Sequence, residues 1–403
     1  MTSSGPTKRY RLAVVNSHPI QYFAPLYRRI AESQDIDLMV YYCSRQGMSK
    51  GLVDPGFGKE IVWDIPLLEG YPHKFLPNAG GDRGVRGFFS LINPSIVSEI
   101  RNGRYDALLI HGHNLATNLL ALLTAKLSGT RVFMRGETHL LLHRGRLKRV
   151  LRALALRPLY ASCDAFLYIG TRNRDFYISQ GVPARKLFFV PYSVDNQAFA
   201  ARAEAARAGT ETRRRALGLP PDMPIVLYAA KLLPRKRPRD LLAAHAELIR
   251  RGIRAALLFV GDGEERAALE QEAERSGQSH VAFAGFVNQA DLPAYYAMAN
   301  VFVLPSEDEP WGLAINEAMA CGVPVVATSE VGAAADLIRD GETGRTFPTG
   351  DVAALADALA GVIGECGTGG AMREKCRQRM ASWSYAQCER GILEALQAAP
   401  ERA

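Results

Sequence analysis

The sequence predicts an α/β protein made of two doubly wound domains, each with a parallel sheet covered by helices. Short runs rich in Val, Ile, Leu and Phe alternate with longer stretches of helical periodicity. Because these runs are apolar throughout, the strands are expected to be buried on both faces, as in parallel sheets. The alternation occurs twice, with an Ala- and Arg-rich break around 196–222, and 403 residues suit two domains.

The first series of strands begins close to the N-terminus and continues to the break. Each apolar run is followed by a helical stretch or by a loop that leads to the next strand. The predicted strands lie in 11–16, 36–43, 106–112, 131–137, 165–170 and 186–195.

The second series follows the proline-rich end of the break, and a last helical stretch lies beyond it. Ligands of doubly wound sheets bind at the carboxyl ends of strands, so a two-domain version is expected to hold its site in a cleft between the domains. The predicted strands lie in 225–232, 255–263, 281–287, 301–306 and 323–328.

The composition indicates a globular protein with an anionic partner. The formal net charge is +8 and the pI is about 9.2, which favours a nucleotide, nucleic acid, phospholipid surface or acidic polysaccharide. The alternative is a well-solvated basic surface. No apolar stretch approaches the ~20 residues that span a bilayer. The six cysteines are scattered without metal-like spacing, so we expect reduced thiols in a cytoplasmic protein.

Two lysines mark the loop after the first strand of the second series. Lys231 closes the strand and Lys236 follows in a loop bounded by prolines. Two cations at the mouth of a site suit a diphosphate, although a basic loop screened by water gives the same pattern. The nearby "VGDGEER", which starts at Gly261, permits close backbone approach but lacks the third glycine of a dinucleotide fingerprint.

The stretch "EPWGLAINEAMACGVPVV" places two carboxylates around a helix start. Glu309 precedes the helix, Glu317 lies inside it, and the Gly312-Leu313 amides at its N-terminus suit a phosphate. Carboxylates accept paired hydroxyl hydrogen bonds, as the vicinal diols of sugars require. The alternative is an acidic surface turn followed by an ordinary helix.

These motifs together resemble the retaining glycosyltransferases of family 4. The resemblance rests on the E-x7-E stretch, the lysine pair, "VGDGEER", "GFV" at 285–287 and "VPYSVDNQAF", which occur in the family's order. It is strongest from about 186 to 348. The family resemblance agrees with the two α/β domains that the alternation of strands and helices predicts.

The resemblance implies a GT-B fold, in which two Rossmann-like domains face each other across a cleft. Residues 1–196 would form the acceptor-binding domain and 197–380 the nucleotide-sugar-binding domain, with the helix in 381–403 crossing back onto the first. It also implies metal-independent chemistry without a cofactor, in which a nucleotide-diphosphate sugar is the donor substrate.

The resemblance also assigns roles in the second domain. Lys231 and Lys236 would bind the donor diphosphate, Glu309 the donor sugar and Glu317 the ribose. The backbone of Phe286 and Val287 would lie against the base. The further residues expected to bind the donor are Gly261, Trp311, Gly312 and Leu313.

The first domain departs from the family pattern in two places. The loop after the first strand, "NSHPIQYFAPL", lacks the usual glycines, so His18 and Gln21 either bind ligand hydroxyls or cap the following helix. Where many members carry a histidine, this chain has "RGETH", and Glu137 is our candidate for the sugar contact, oriented by Arg135. His113 in "IHGHN" is a further candidate, against a merely structural role.

A basic amphipathic stretch, 143–160, is the last candidate feature. Its cations and leucines suit a helix lying on an anionic membrane, or alternatively a domain helix with its arginines in water. The membrane interpretation suits an enzyme that elongates a lipid-linked glycan at the inner face of the membrane.

The sequence therefore predicts a cytoplasmic retaining glycosyltransferase acting on a hydroxyl acceptor, in lipid-linked or surface polysaccharide biosynthesis. The alternatives are a sugar-nucleotide epimerase or inverting transferase of the same fold, and a non-catalytic glycan- or nucleotide-binding relative. No nucleic-acid-binding motif accompanies the positive charge, so a nucleic-acid partner is not expected.

Overall fold

The chain divides into two compact units, which are described separately. The computed structural model describes residues 9–48, 53–54, 59–81, 84–141, 155–366 and 370–398. Unit 1 combines Met1–Leu52, Glu60–Tyr192 and Tyr385–Ala403, and unit 2 combines Val53–Lys59 with Ser193–Ser384. The sequence places these divisions after 196 and 380, and the structure places them after 192 and 384.

Seven described strands of unit 1 form one sheet: β1 (Tyr10–Asn16), β2 (Ile36–Tyr42), β5 (His73–Phe75), β6 (Ala107–His111), β7 (Arg131–Arg135), β8 (Ala165–Tyr168) and β9 (Leu187–Phe189). Their order in the sheet is β5-β2-β1-β6-β7-β8-β9. Neighbouring strands pair in parallel, with Val14 opposite both Val40 and Leu109. Outside this sheet, β3 (Val53–Asp54) and β4 (Lys59–Glu60) form a separate two-stranded pair.

Helices connect these strands because parallel neighbours need a crossover. Their apolar faces are buried, as Leu26, Tyr27 and Ile30 show for the first helix. The helices are α1 (Ala24–Ala31), α2 (Ile96–Gly103), α3 (Ala116–Leu127), α4 (described over 155–162) and α5 (Thr171–Ser179).

Unit 2 contains a second parallel sheet, whose six described strands run in the order β12-β11-β10-β13-β14-β15. Leu227 at its centre lies opposite Leu258 and Phe302. The strands are β10 (Ile225–Ala229), β11 (Ala256–Val260), β12 (Val281–Gly285), β13 (Val301–Leu304), β14 (Val325–Thr328) and β15 (Gly344–Phe347).

The helices of unit 2 cover both faces of this sheet. The apolar runs between them are buried, including all of β10, β11, β13 and β14. The helices are α6 (Asn196–Ala206), α7 (Thr210–Ala216), α8 (Pro238–Arg250), α9 (Arg266–Arg275), α10 (Leu292–Met298), α11 (Leu313–Ala320), α12 (Ala334–Leu337), α13 (Val352–Cys366) and α14 (Ala371–Met380). The predicted α/β class with parallel sheets is confirmed.

The last helix, α15 (Tyr385–Gln397), packs against the sheet of unit 1. Gly391 permits this packing, because a Cβ there would lie 2.0 Å from the carbonyl oxygen of Phe189. Arg131 donates to the carbonyl of Leu396 over 2.7 Å, and Arg29 pairs with Glu389 at 2.7 Å. The C-terminal helix therefore returns to the first unit, as the family resemblance implies.

Candidate functional site

Strand order places the candidate site of unit 2 at the carboxyl ends of β10 and β13. In chain order the six strands run 3-2-1-4-5-6, so connections leave in opposite directions from these two central neighbours. Loops diverge at such a point and leave a crevice where ligands of doubly wound sheets bind. Lys231 and Lys236 follow β10, and Glu309 follows β13. Two motifs more than 70 residues apart thus meet at one edge.

The Lys231 loop is fixed by hydrogen bonds to its own strand and to the loop after β11. The buried Tyr228 hydroxyl donates to the carbonyl of Lys231 over 2.9 Å. Burial, and next the charge of Glu309, raise the pKa of Tyr228 well above its usual value. The hydroxyl therefore stays protonated and keeps this bond, which holds Lys231 at the strand end.

The glycines of "VGDGEER" let two backbone segments lie side by side. A Cβ at Gly261 would lie 2.0 Å from the carbonyl oxygen of Ala230, and one at Gly263 would lie 2.4 Å from that of Leu232. Both glycines have positive φ, 137° and 156°. Leu232 donates its N–H to Asp262 across this contact, over 2.9 Å. The close approach that Gly261 permits is therefore to the lysine loop.

Lys236 and Glu309 form an ion pair directly. Each side chain is 12% exposed, so the pair is mostly shielded from water. The adjacent Arg237 has a left-handed φ of 51° and binds Glu307 at 3.0 Å and Asp240 at 2.6 Å. Glu307 also donates its backbone N–H to the carbonyl of Arg235 over 2.9 Å. The loops after β10 and β13 are thus connected by ion pairs between side chains and by a hydrogen bond between backbones.

Gly312 allows the chain to turn sharply from the Glu309 loop into α11. Its φ is 95°, and a Cβ there would lie 2.9 Å from Leu304 and 3.0 Å from Val331. Leu313 and Ala314 at the first turn of α11 are partly exposed, whereas Ile315 through Ala320 are buried. The accessible part of this helix is its N-terminal turn, whose backbone N–H groups lack partners within the helix.

Trp311 lies in the interior of unit 2. Its indole N–H donates to the Asn316 side chain over 2.8 Å, and its ring stacks on Trp383 at 5.1 Å. The preceding Pro310 carbonyl lies against Gly332, where a Cβ would approach to 2.0 Å. Trp311, a predicted donor contact, thus has a buried side chain that fixes the loop.

Glu317 is brought to the same strand edge but is enclosed, with 2% exposure. Its Oε2 accepts a hydrogen bond from the Tyr296 hydroxyl at 2.8 Å, and Gln289 Nε2 lies 3.5 Å from Oε1. Gln289 follows closely after Phe286 and Val287, which are partly exposed at the end of β12. Tyr296 and Gln289 were not singled out on sequence, since both lie more than 20 residues from Glu317 and match no motif.

The corresponding edge of unit 1 carries a buried neutral network. Its strand order places the crevice beside β1 and β6. The Asn16 amide donates to the Tyr27 hydroxyl over 2.9 Å, and that oxygen lies 3.2 Å from His111 Nε2. Burial, and next the charge of Arg135, lower the pKa of His111 to about 3. His111 is therefore neutral near pH 7.

The sequence candidates of unit 1 lie around this network. His18 is partly exposed and its Nδ1 contacts the Ser17 hydroxyl at 2.9 Å. Phe23 occupies the N-cap position of α1, and its side chain makes no capping hydrogen bond. His113 lies in the loop after β6, with its ring 6.4 Å from that of Tyr160. His18 and His113 both stay candidates for ligand contacts.

Glu137 and Arg135 are linked through Tyr192. The Arg135 guanidinium is buried, lies 5.3 Å from the centre of the Tyr192 ring, and donates to the carbonyls of Val190 and Pro191 over 3.1 Å and 3.3 Å. Burial, and next the charge of Glu137, raise the pKa of Tyr192 well above its usual value. Arg135 therefore fixes the chain after β9, and Glu137 lies close enough to influence Tyr192.

The predicted basic amphipathic stretch is only partly observed. Residues 143–154 lie outside the described residues, and 155–160 belong to α4. Within the described ranges, no helix is long and apolar enough to cross a membrane. A search of the same ranges finds no group of three or more His, Cys, Asp and Glu side chains arranged to hold a metal ion.

Comparisons with known proteins agree with this architecture. The family model "Glycosyl transferases group 1" matches residues 209–382, and "Glycosyl transferase 4-like domain" matches residues 70–193. The crystal structure of Anabaena HepE in complex with UDP is similar with a TM-score of 0.72 and 17% identity, covering 97% of this chain and 100% of that one. The predicted GT-B fold is confirmed.

Curated relatives match over part of their length. The chain is 33% identical over 219 residues to the GDP-mannose-dependent alpha-(1-6)-phosphatidylinositol monomannoside mannosyltransferase of Mycolicibacterium smegmatis, covering 52% of this chain and 56% of the relative. It is 34% identical to the D-inositol 3-phosphate glycosyltransferase of Nocardia farcinica over 48% of this chain and 45% of that protein. The chain thus spans about half the length of these relatives.

Proposed function

We propose that the chain is a retaining glycosyltransferase, because residues 209–382 match the family model of the glycosyl transferases group 1 and residues 70–193 match that of the glycosyl transferase 4-like domain. It moves a sugar from a nucleotide-diphosphate sugar to a hydroxyl of its acceptor. The observation that carries this proposal is the meeting of Lys231, Lys236 and Glu309 at the strand ends of unit 2. Cations next to a carboxylate at such an edge suit a ligand with an anionic diphosphate and a sugar.

In this proposal unit 2 binds the donor. Lys231 and Lys236 bind the diphosphate together with the N-terminal amides of α11 at Gly312 and Leu313. Glu309 accepts hydrogen bonds from hydroxyls of the transferred sugar, and Glu317 accepts them from the ribose. The nucleotide base lies against Phe286 and Val287, which are partly exposed just after β12. Gly261 and Trp311 support the loops, since one lies against the Lys231 loop and the other is buried.

In this proposal the ion pair between Lys236 and Glu309 keeps the site formed before the donor binds. A lone buried charge is costly, and each group neutralises the other. The donor replaces both partners, because its diphosphate takes the lysine and its sugar hydroxyls take the carboxylate. Donor binding then exchanges the ion pair for contacts of the lysine with the diphosphate and of the carboxylate with hydroxyls, so neither buried charge loses its partner.

The reaction proposed is displacement on one face of the sugar. The bond from the anomeric carbon to the diphosphate breaks, and the acceptor oxygen bonds to the same face. The acceptor proton passes to the departing phosphate oxygen. Negative charge grows on the diphosphate as the bond breaks, so Lys231, Lys236 and the α11 N-terminus stabilise the transition state more than the ground state. No protein nucleophile takes part.

Unit 1 would bind the acceptor. His18, His113 and Glu137 are partly exposed or loop residues near the ends of β1, β6 and β7, and they are our candidates for contacts with acceptor or sugar hydroxyls. We further propose a lipid-linked or glycan acceptor, supported by the glycolipid named for the mycobacterial relative. Activity without metal or cofactor, a cytoplasmic location and a peripheral membrane contact through 143–160 belong to the same proposal.

The direct test is a donor panel. The protein is incubated with UDP-, GDP-, TDP- and ADP-sugars, and release of the nucleotide is followed with and without alkyl-glycoside acceptors. We expect one donor to give release that the acceptor accelerates. Tight nucleotide binding without release from any donor would support the non-catalytic alternative and contradict the proposal.

A further inference from the structure

Unit 1 contains an apolar groove close to the carboxyl end of β6. The groove is open to solvent on one side and has a volume of about 530 Å³, which is within the size range of small-molecule sites. We call it the α3 groove; residues lining it include Phe88, His113, Asn114, Leu119, Leu156 and Leu159. Its polar lining comes from the loop after β6, and the helices α3 and α4 contribute leucines.

Apolar side chains continue from the groove onto the surface. Phe89 is 76% exposed next to Phe88, and Leu123, one turn beyond Leu119 on α3, is 60% exposed. Exposed apolar side chains next to an apolar groove enlarge the surface that a hydrocarbon ligand can cover. The lining and its surroundings would therefore favour a ligand that is mostly hydrocarbon.

We infer that the α3 groove binds the hydrocarbon chain of the acceptor. The groove meets the candidate acceptor edge at His113 and Asn114, which directly follow β6 and Gly112. A ligand with a polar head at this loop would extend its chain between Phe88, Leu119 and Leu156. The groove is thus polar near the end of β6 and apolar beyond it, which matches the polar head and the hydrocarbon chain of an amphiphile. This inference rests on the proposed function and adds the chemistry of the acceptor.

A chain-binding assay tests the groove without requiring catalysis. The probe is N-dodecyl dansylamide below its critical micelle concentration, and its fluorescence rises when it enters an apolar site. We expect wild-type protein to bind it, and Leu119→Asp and Leu156→Asp to weaken binding about tenfold or more, since a carboxylate must lose water to meet the chain. Thermal unfolding verifies that both variants fold.

Leu127→Asp is the matched control. Leu127 lies two turns beyond Leu119 on the same helix, is 91% exposed and is not among the residues lining the groove. Its substitution should change probe binding by less than about twofold. Equal binding by wild type and both groove variants would overturn the inference.

Two further experiments test whether a membrane or a second copy of the chain, instead of an acceptor chain, covers the groove. The first measures co-sedimentation of the protein with phosphatidylcholine vesicles. If Leu119→Asp and Leu127→Asp abolish vesicle binding equally and leave probe binding unchanged, the leucines contact a bilayer surface and the inference is overturned. Sedimentation velocity showing a dimer that only Leu119→Asp dissociates would indicate a second copy of the chain and also overturn it.

Transfer assays distinguish this inference from the proposed function. Leu119→Asp should raise KM for a dodecyl glycoside acceptor and leave KM for the matching methyl glycoside unchanged. If the enzyme transfers sugar but its KM for the acceptor does not depend on the length of the acceptor's alkyl chain, the groove assignment alone is overturned. Probe binding that depends on Leu119, without any transfer, would support the groove while the proposed function fails.

Discussion

The two units have the same strand order around their central strands, but different chemistry at the strand ends. Unit 2 gathers charges there, with Lys236 paired to Glu309 and Arg237 paired to Glu307. Unit 1 places a neutral hydrogen-bonded network at the ends of β1 and β6, with Tyr27 between Asn16 and a His111 kept uncharged, and its buried Arg135 donates to backbone carbonyls. One topology therefore supports an edge suited to an anionic diphosphate and another suited to neutral hydroxyls.

The contrast teaches that strand order determines where a site lies, and loop residues determine what it binds. In unit 2 the loops supply cations and a helix N-terminus, which attract anions. In unit 1 the same positions are filled by a network whose hydrogen bonds are made within the protein. The following predictions test this division, starting with the largest expected effect.

Removing one cation from unit 2 should affect catalysis most. Lys236→Ala should lower kcat/KM for sugar transfer by about 10²–10³-fold, because it removes charge stabilisation from the leaving diphosphate and removes the lysine that pairs with Glu309. Steady-state transfer kinetics measure this loss. Lys375→Ala, at an exposed position on α14, is the control and should retain wild-type kinetics. A comparable loss in both variants would indicate a nonspecific effect of charge.

The close contact at Gly261 should matter more than its positive φ. Gly261→Ala places a methyl group against the Ala230 carbonyl, so we expect a loss of about 3 kcal/mol or more in the free energy of unfolding, with weaker nucleotide binding. Gly252→Ala shares a positive φ of 78° but has open space around its Cβ. It should lose only about 1 kcal/mol. Denaturant unfolding that shows equal losses would refute the proposed contact.

Binding of a modified nucleotide tests Glu317 as the ribose contact. The wild type should bind a nucleoside diphosphate about tenfold more tightly than its 2′,3′-dideoxy analogue, as expected for hydrogen bonds to a charged group. In Glu317→Ala this difference should vanish, as measured by isothermal titration calorimetry. Glu342→Ala, at an exposed position, should keep the difference. A preference that persists in Glu317→Ala would restrict this carboxylate to its contacts with Tyr296 and Gln289.

The neutral network of unit 1 predicts a pH dependence of stability. The folded-state pKa of His111 is lowered to about 3 from 6.5, so the unfolded chain binds a proton that the folded protein does not as the pH falls below 6.5. Stability should fall between pH 6.5 and 3, with a slope of up to about 1.4 kcal/mol per pH unit from this group. Denaturant unfolding of His111→Gln should show a shallower slope. An unchanged slope would contradict the assignment.

The sequence was sufficient for the main features of both sheets. Continuous apolar runs such as β1 and β10 identify buried parallel strands, and helical stretches between them identify the crossovers. The edge strands β5 and β15 were not assigned, because their residues are only partly buried and form no apolar run. Periodicity carries little information where a strand lies half in solvent.

The candidate site was predictable only in part. Lys231, Lys236 and Glu309 stand in recognisable motifs, and the structure brings them to one edge. Their mutual ion pair, the Tyr296 contact of Glu317 and the buried packing of Trp311 depend on tertiary contacts between distant segments. No local pattern encodes such contacts, so the burial of the Trp311 side chain could not be predicted from its motif.

The anomeric configuration of the product shows whether the new bond forms on the face of the sugar that the diphosphate leaves. With an α-linked nucleotide sugar as donor and an alkyl glycoside as acceptor, the one-bond C1–H1 coupling in the NMR spectrum of the product reports the new linkage. Displacement on one face, driven by the cations of unit 2, predicts an α-linked product. A β-linked product would contradict it and indicate inversion.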